Sequence, residues 1–145
     1  SATMGSPTKG TANPEPSVYT VADLVINEVV PDPSSGSEWV ELYNPTSGTI
    51  DLSGAYIDDI AGGGGAPKQI AAGQTIAAGG HWTMDTNSFF NNGGDDVRLL
   101  MPDGSTVVDS YTYSSSSSGQ SWYRTPDGGS WSGSMGTPTK NASNP

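Results

Sequence analysis

The chain predicts an all-β protein folded as an antiparallel β-sandwich, and three observations carry that expectation. Apolar residues make up only 32% of its 145 positions while Gly (20) and Pro (11) are abundant, which suits short strands joined by many turns. No window holds an apolar stripe at helical spacing over three turns. At least seven short apolar or alternating stretches lie between clusters of Gly, Pro, Asn and Asp, the spacing expected of a sandwich or barrel.

Residues 1–18 combine Pro7, Pro14 and Pro16 with small polar residues and read as a linker. The first strand is expected in residues 23–30, with Leu24, Ile26, Glu28 and Val30 on one face and Val25, Asn27 and Val29 on the other. Pro31 and Pro33 end it. In residues 38–44, Val40 and Leu42 alternate with Trp39, Glu41 and Tyr43, so one face suits the core and the other carries aromatics and carboxylates. Residues 49–59 supply two short strands about a turn at Ser53-Gly54, and Gly62 to Gly65 form a loop. The echo IAAGQ and IAAGG, residues 70–80, marks two short β segments before the strand HWTMD. Asn91 to Asp95 form a turn that introduces Val97, Leu99 and Met101 as inward positions. Pro102-Asp103-Gly104 then makes a hairpin with residues 105–113, and residues 120–124 form the last clear strand.

In combination these segments resemble the lamin tail domain family, in its bacterial and archaeal form. INEVVPDP (26–33), EWVELYNPTSGTIDLSGAYIDD (38–59), IAAGQTIAAGG (70–80), NNGGDDVRLLMPDGSTVVDSYTY (91–113) and SWYRTPDGGSW (121–131) occur in the family's order, over about residues 22–138. The resemblance implies an immunoglobulin-like β-sandwich without an activity of its own. It also implies a setting in secreted or cell-surface proteins, beside adhesive, hydrolase or nuclease domains. One departure is Ala55, where relatives often place Trp, leaving a space that Trp82 is a candidate to fill. The domain is expected over 19–138, with 139–145 as a C-terminal linker.

The two ends share text. MGSPTKGTANP, Met4 to Pro14, returns as MGTPTKNASNP, Met135 to Pro145, with seven of eleven positions identical. Fixed-period similarity signals repeated units. Met4 to Pro14 is therefore expected to be the tail of a preceding copy, and a neighbouring lamin-tail-like domain is an expected partner.

Charge narrows the partners. Fifteen Asp and Glu against five scattered Lys and Arg give a formal charge of -10. Without a basic patch, nucleic acid is a poor partner, although the tails of animal lamins are associated with chromatin. Direct membrane insertion is not expected either, since no apolar run reaches transmembrane length. The absence of Cys removes thiol chemistry, Cys-based zinc sites and disulfides.

No catalytic site is expected. His81 is the sole histidine, and the serines 114–118 have no base beside them in sequence. Glu28, Glu38 and Glu41 are expected to be structural, accepting hydrogen bonds from turn backbones or from Arg98 or Arg124. Gly54 and Gly104 are expected to be turn glycines. No cofactor is expected, with one alternative, since Asp58, Asp59, Asp85, Asn91, Asn92, Asp95 and Asp96 are hard oxygen donors of the kind calcium takes. A further alternative assigns Trp39, Tyr43, Trp122, Tyr123 and Trp131 to a platform for a protein partner or a cell-surface glycan, with at least half of them expected to be buried. The expected function is thus a non-catalytic interaction or spacer module of an extracellular prokaryotic protein. The alternatives are a calcium- or carbohydrate-binding adhesion module and an accessory domain that positions a hydrolase or nuclease.

Overall fold

The computed structural model describes residues 19–145. A single 3-10 turn, Val21–Asp23, opens this region, held by Thr20 and Asp23, each side chain accepting a backbone N–H of the turn. Eleven strands follow: β1 (Val25–Val30), β2 (Glu38–Tyr43), β3 (Ile50–Asp51), β4 (Tyr56–Asp58), β5 (Lys68–Gln69), β6 (Thr75–Ile76), β7 (His81–Thr86), β8 (Asp95–Leu100), β9 (Val107–Tyr113), β10 (Trp122–Thr125) and β11 (Ser130–Trp131).

Every pairing is antiparallel. One sheet has the order β11-β10-β1-β2-β7, the second β5-β4-β8-β9, and β3 pairs with β6 alone. The molecule is an immunoglobulin-like β-sandwich. Its core joins Ile26, Val29, Val40 and Leu42 of the first sheet to Ile57, Val97 and Leu99 of the second, with Ile50 and Ile76 from the β3–β6 pair and Leu52 and Ile70 from the residues that follow β3 and β5. Ala55 is wholly buried in that core and Trp82 packs against it. The hairpin β8–β9 turns at Gly104 (φ 74°), where Asp103 accepts the N–H groups of Ser105 and Thr106. Gly54 (φ 80°) turns β3 toward β4.

Two expectations are corrected. The first is the alternation of β1. The register runs Ile26↔Leu42, then Glu28↔Glu41 and Val29↔Val40, so a bulge at Asn27 inserts one residue and reverses the parity beyond it. Ile26 and Val29 therefore share the core side, and Glu28 lies opposite Glu41 on the other face of the sheet. Without the bulge Glu28 would enter the apolar core, where an unpaired carboxylate is costly. The second is the C-terminal linker. Residues 139–145 are hydrogen-bonded across the outer face of the first sheet, and Asn144 is buried. Polar groups on that face need partners, and this segment supplies them.

Candidate functional site

The bulge in β1 and the alternation of β2 bring Glu28 and Glu41 directly opposite one another, both with no exposed surface. Like charges in that relation repel, and burial removes water as a partner. Donors converge instead from Ser121, from Asn27 and from the chain's last eleven residues, which lie across the sheet as a strap. Glu28 accepts from Ser121 Oγ at 2.6 Å, Thr139 N at 2.9 Å and Thr139 Oγ1 at 3.0 Å. Glu41 accepts from Asn141 N at 2.6 Å and Asn27 Nδ2 at 3.3 Å. Neither contacts an arginine: Arg98 pairs with Asp58, while Arg124 reaches Asp109 and the carbonyls of Ile26 and Gly129.

Beside the two glutamates, Asp127 accepts from Asn27 Nδ2 at 3.0 Å and Asn144 N at 2.9 Å, and lies 2.8 Å from His81 Nε2. The Asn144 amide donates to the carbonyls of Asn27 and Arg124. At the rim, Lys140 pairs with Asp85 at 2.6 Å and sits over the Trp39 ring, 5.4 Å from its centroid. Burial pushes the Glu41 carboxyl up to about 7, against the Asn141 N–H, His81 and Asn27, while Glu28 adds to the rise. Burial also raises Asp127, but Asn144, Asn27 and His81 outweigh it and hold that carboxyl below its ordinary value.

As chemistry, this cluster holds a segment of the chain itself. A Ser/His/Asp relay needs a hydroxyl at the second histidine nitrogen. Among the described residues the polar partner of His81 is Asp127, and its ring packs on Tyr43 with centroids 5.3 Å apart.

Glu38 has a different task. It opens β2 on the core side and accepts the buried N–H groups of Phe89 and Phe90 at 2.5 and 3.1 Å, clamping the β7–β8 connection to the sheet.

The calcium candidates are not brought together. Asp58 pairs with Arg98, Asp85 with Lys140, and Asp96 accepts from Thr112 Oγ1. Asp95 closes its turn by accepting Asn91 N, and Asn92 O accepts from Ser116. Among the described residues no group of three or more His, Cys, Asp and Glu could hold a metal ion. Asp95 and Asp96 adjoin in sequence, as do Asp58 and Asp59. Asp59 accepts Gly65 N at 2.8 Å, and each of the two carboxylates keeps one buried oxygen without a hydrogen-bond partner. Burial raises the Asp58 carboxyl, opposed by the Asp59 N–H and Arg98. Next to them, Gly62 to Gly65, Arg98 and the hairpin tip Gly104-Ser105 line an open groove of about 640 Å³.

The aromatic platform is not exposed. Trp39 is buried under Lys140, Tyr43 is half-buried against His81, and Tyr123 is half-buried beside Gly136. Trp122 packs on the core with its Nε1 donating to Ser115 O, and Trp131 stacks on Tyr111 at 3.7 Å beneath the Arg124 guanidinium. Among the described residues the large apolar side chains that are exposed are Tyr19, Ile60 and Val107, and they do not include any of these five.

With the fold in place, the comparison with family models is decisive: the model of the lamin tail domain matches residues 17–115. The chain belongs to the lamin tail domain family. Its interaction-type immunoglobulin fold is the one described above, and β10, β11 and the strap lie beyond the matched residues of this lamin tail domain. Comparison with curated proteins and with solved structures finds no match.

Sequence reasoning missed Asn27, Asn44, Asp127 and Asn144 as organising residues. Asn44, wholly buried, donates to the carbonyls of Gly48, Ile76 and Ala77 and ties β2 to the β3 and β6 segments. For Asn144 a signal existed, since the repeated end text retains Asn at that position.

Proposed function

We propose that this lamin tail domain is a non-catalytic interaction and spacer module of a secreted or cell-surface prokaryotic protein, used in tandem copies. The observation that carries this reading is the strap: the cluster that sets His81 and Asp127 beside the buried Glu28 and Glu41 spends its carboxylates on the chain's own Thr139, Asn141 and Asn144. The acidic charge and the lack of a basic patch favour protein or glycan partners over nucleic acid. The shared end text supports a neighbouring lamin tail copy as one of those partners.

Two experiments test it. The 145-residue chain should show no turnover in hydrolase and nuclease assays, and measurable turnover would overturn the non-catalytic reading. Fractionation of cells producing the parent protein should place it outside the cytoplasm, and a cytoplasmic location would overturn the extracellular part.

A further inference from the structure

The geometry points to Met4–Pro14 as a second strap, built to dock in the Glu28–Glu41 cleft of another copy of this lamin tail domain, as Met135–Pro145 docks in its own. The tandem-copy reading supplies where that copy stands, but the recognition itself rests on the contacts of the strap. Position by position, the repeated text keeps what the cleft uses. Thr139, whose N–H and hydroxyl bind Glu28, corresponds to Thr8. Lys140, paired with Asp85 over Trp39, corresponds to Lys9, and the buried Asn144 corresponds to Asn13. Gly136 bridges Ser121 in a place where a Cβ would meet the Tyr123 ring at 2.9 Å, and it corresponds to Gly5. Met135, whose Sδ accepts Ser117 N, corresponds to Met4.

The four differences are equally informative. Thr137, Asn141, Ala142 and Ser143, which face Ser6, Gly10, Thr11 and Ala12 in the alignment, are all exposed, and every strap position that is not exposed is identical. Asn141 contributes its backbone N–H to Glu41 from a positive φ of 58°, a conformation that glycine adopts more readily. Glycine, the residue type at the matching position 10, has the same backbone donor and tolerates that φ. Drift confined to exposed positions is what a second segment under the same packing constraint would show.

The test is a transplant. In the whole chain, Thr137→Ser, Asn141→Gly, Ala142→Thr and Ser143→Ala together write the Met4–Pro14 text into the C-terminal strap. Its melting midpoint should stay within about 2 °C of the parent, while Thr139→Val with Asn144→Ala should lower it by roughly 5–10 °C. A transplant as destabilised as that double variant, or one that does not fold, shows that the N-terminal text lacks the docking code and overturns the proposal. A second measurement decides which copy is served. Asn13→Ala in the parent chain should leave the midpoint unchanged, because the cleft of that domain already holds its own strap. A loss equal to that of Asn144→Ala would place Met4–Pro14 on its own domain and overturn the assignment to another copy. Neither result depends on catalytic assays or on cellular location.

Discussion

Glu41 shows how one buried side chain sets a pH response. Its folded carboxyl stands at about 7 against an ordinary value of 4.5, so between those values the folded chain holds a proton that the unfolded chain has lost. Stability contributed by this group is full below about pH 4.5 and falls as pH rises toward 7. The groups facing it are Asn27, Asn141, His81 and Glu28. Asp127 acts with the opposite sign, since its lowered carboxyl adds stability above 3.8 that is lost as pH falls. Thermal melts from pH 5 to 8 should show a declining midpoint in the parent and a flatter profile in Glu41→Gln; equal slopes would remove Glu41 as the cause. At Glu38, replacement by Ala leaves the buried N–H groups of Phe89 and Phe90 without an acceptor, an expected loss of about 2–4 kcal/mol in urea unfolding. Glu38→Gln keeps one oxygen and should lose clearly less. The acceptor role of these glutamates was legible in the sequence, because a carboxylate amid an apolar strand needs donors. The donors themselves were not, since Thr139 lies 111 residues from Glu28.

At the scale of elements, the strap and the bulge in β1 depend on each other. The bulge turns Asn27 and Glu28 toward the outer face, and the strap then satisfies them. Gly136→Ala tests the seating of the strap: its new Cβ would press on the half-buried Tyr123 ring, with an expected cost of about 1–3 kcal/mol. An unchanged midpoint would mean that the ring gives way freely. Strand existence was readable from alternation and turn residues in β2, β8 and β9, where Val40, Leu42, Val97 and Leu99 all reach the core as expected. The register of β1 was not readable, because a bulge arises from cross-strand pairing and leaves no local mark in VINEVV. The two-residue strand β11 was missed for a similar reason, as its pairing with Arg124 and Thr125 is all that defines it.

For the whole molecule, a formal charge of -10 raises the question of cation binding, and among the described residues no three or more His, Cys, Asp and Glu gather as a metal site. Acidic side chains are spread among separate partners, so 2 mM calcium is expected to move the melting midpoint by less than about 1 °C relative to EDTA. A site with a dissociation constant near 10 μM would add roughly 3 kcal/mol and a shift of several degrees, which a single pair of melts would reveal. Such a shift would direct attention to Asp58 and Asp59, whose two buried oxygens lack hydrogen-bond partners.

By itself the sequence determined the fold class, the face of β2 that enters the core and the turn at Gly104, because each follows from local periodicity or from residues that tolerate positive φ, while the family resemblance rested on the order of its motifs. It also carried the repeated end text, without saying what that text was for. Tertiary structure alone decided that Glu28 leaves the core, that the aromatics are spent on intramolecular packing, and that residues 139–145 belong to the domain. Each of these depends on which distant donors and rings the closed sandwich brings within a few ångströms, and no local pattern in the chain records that meeting.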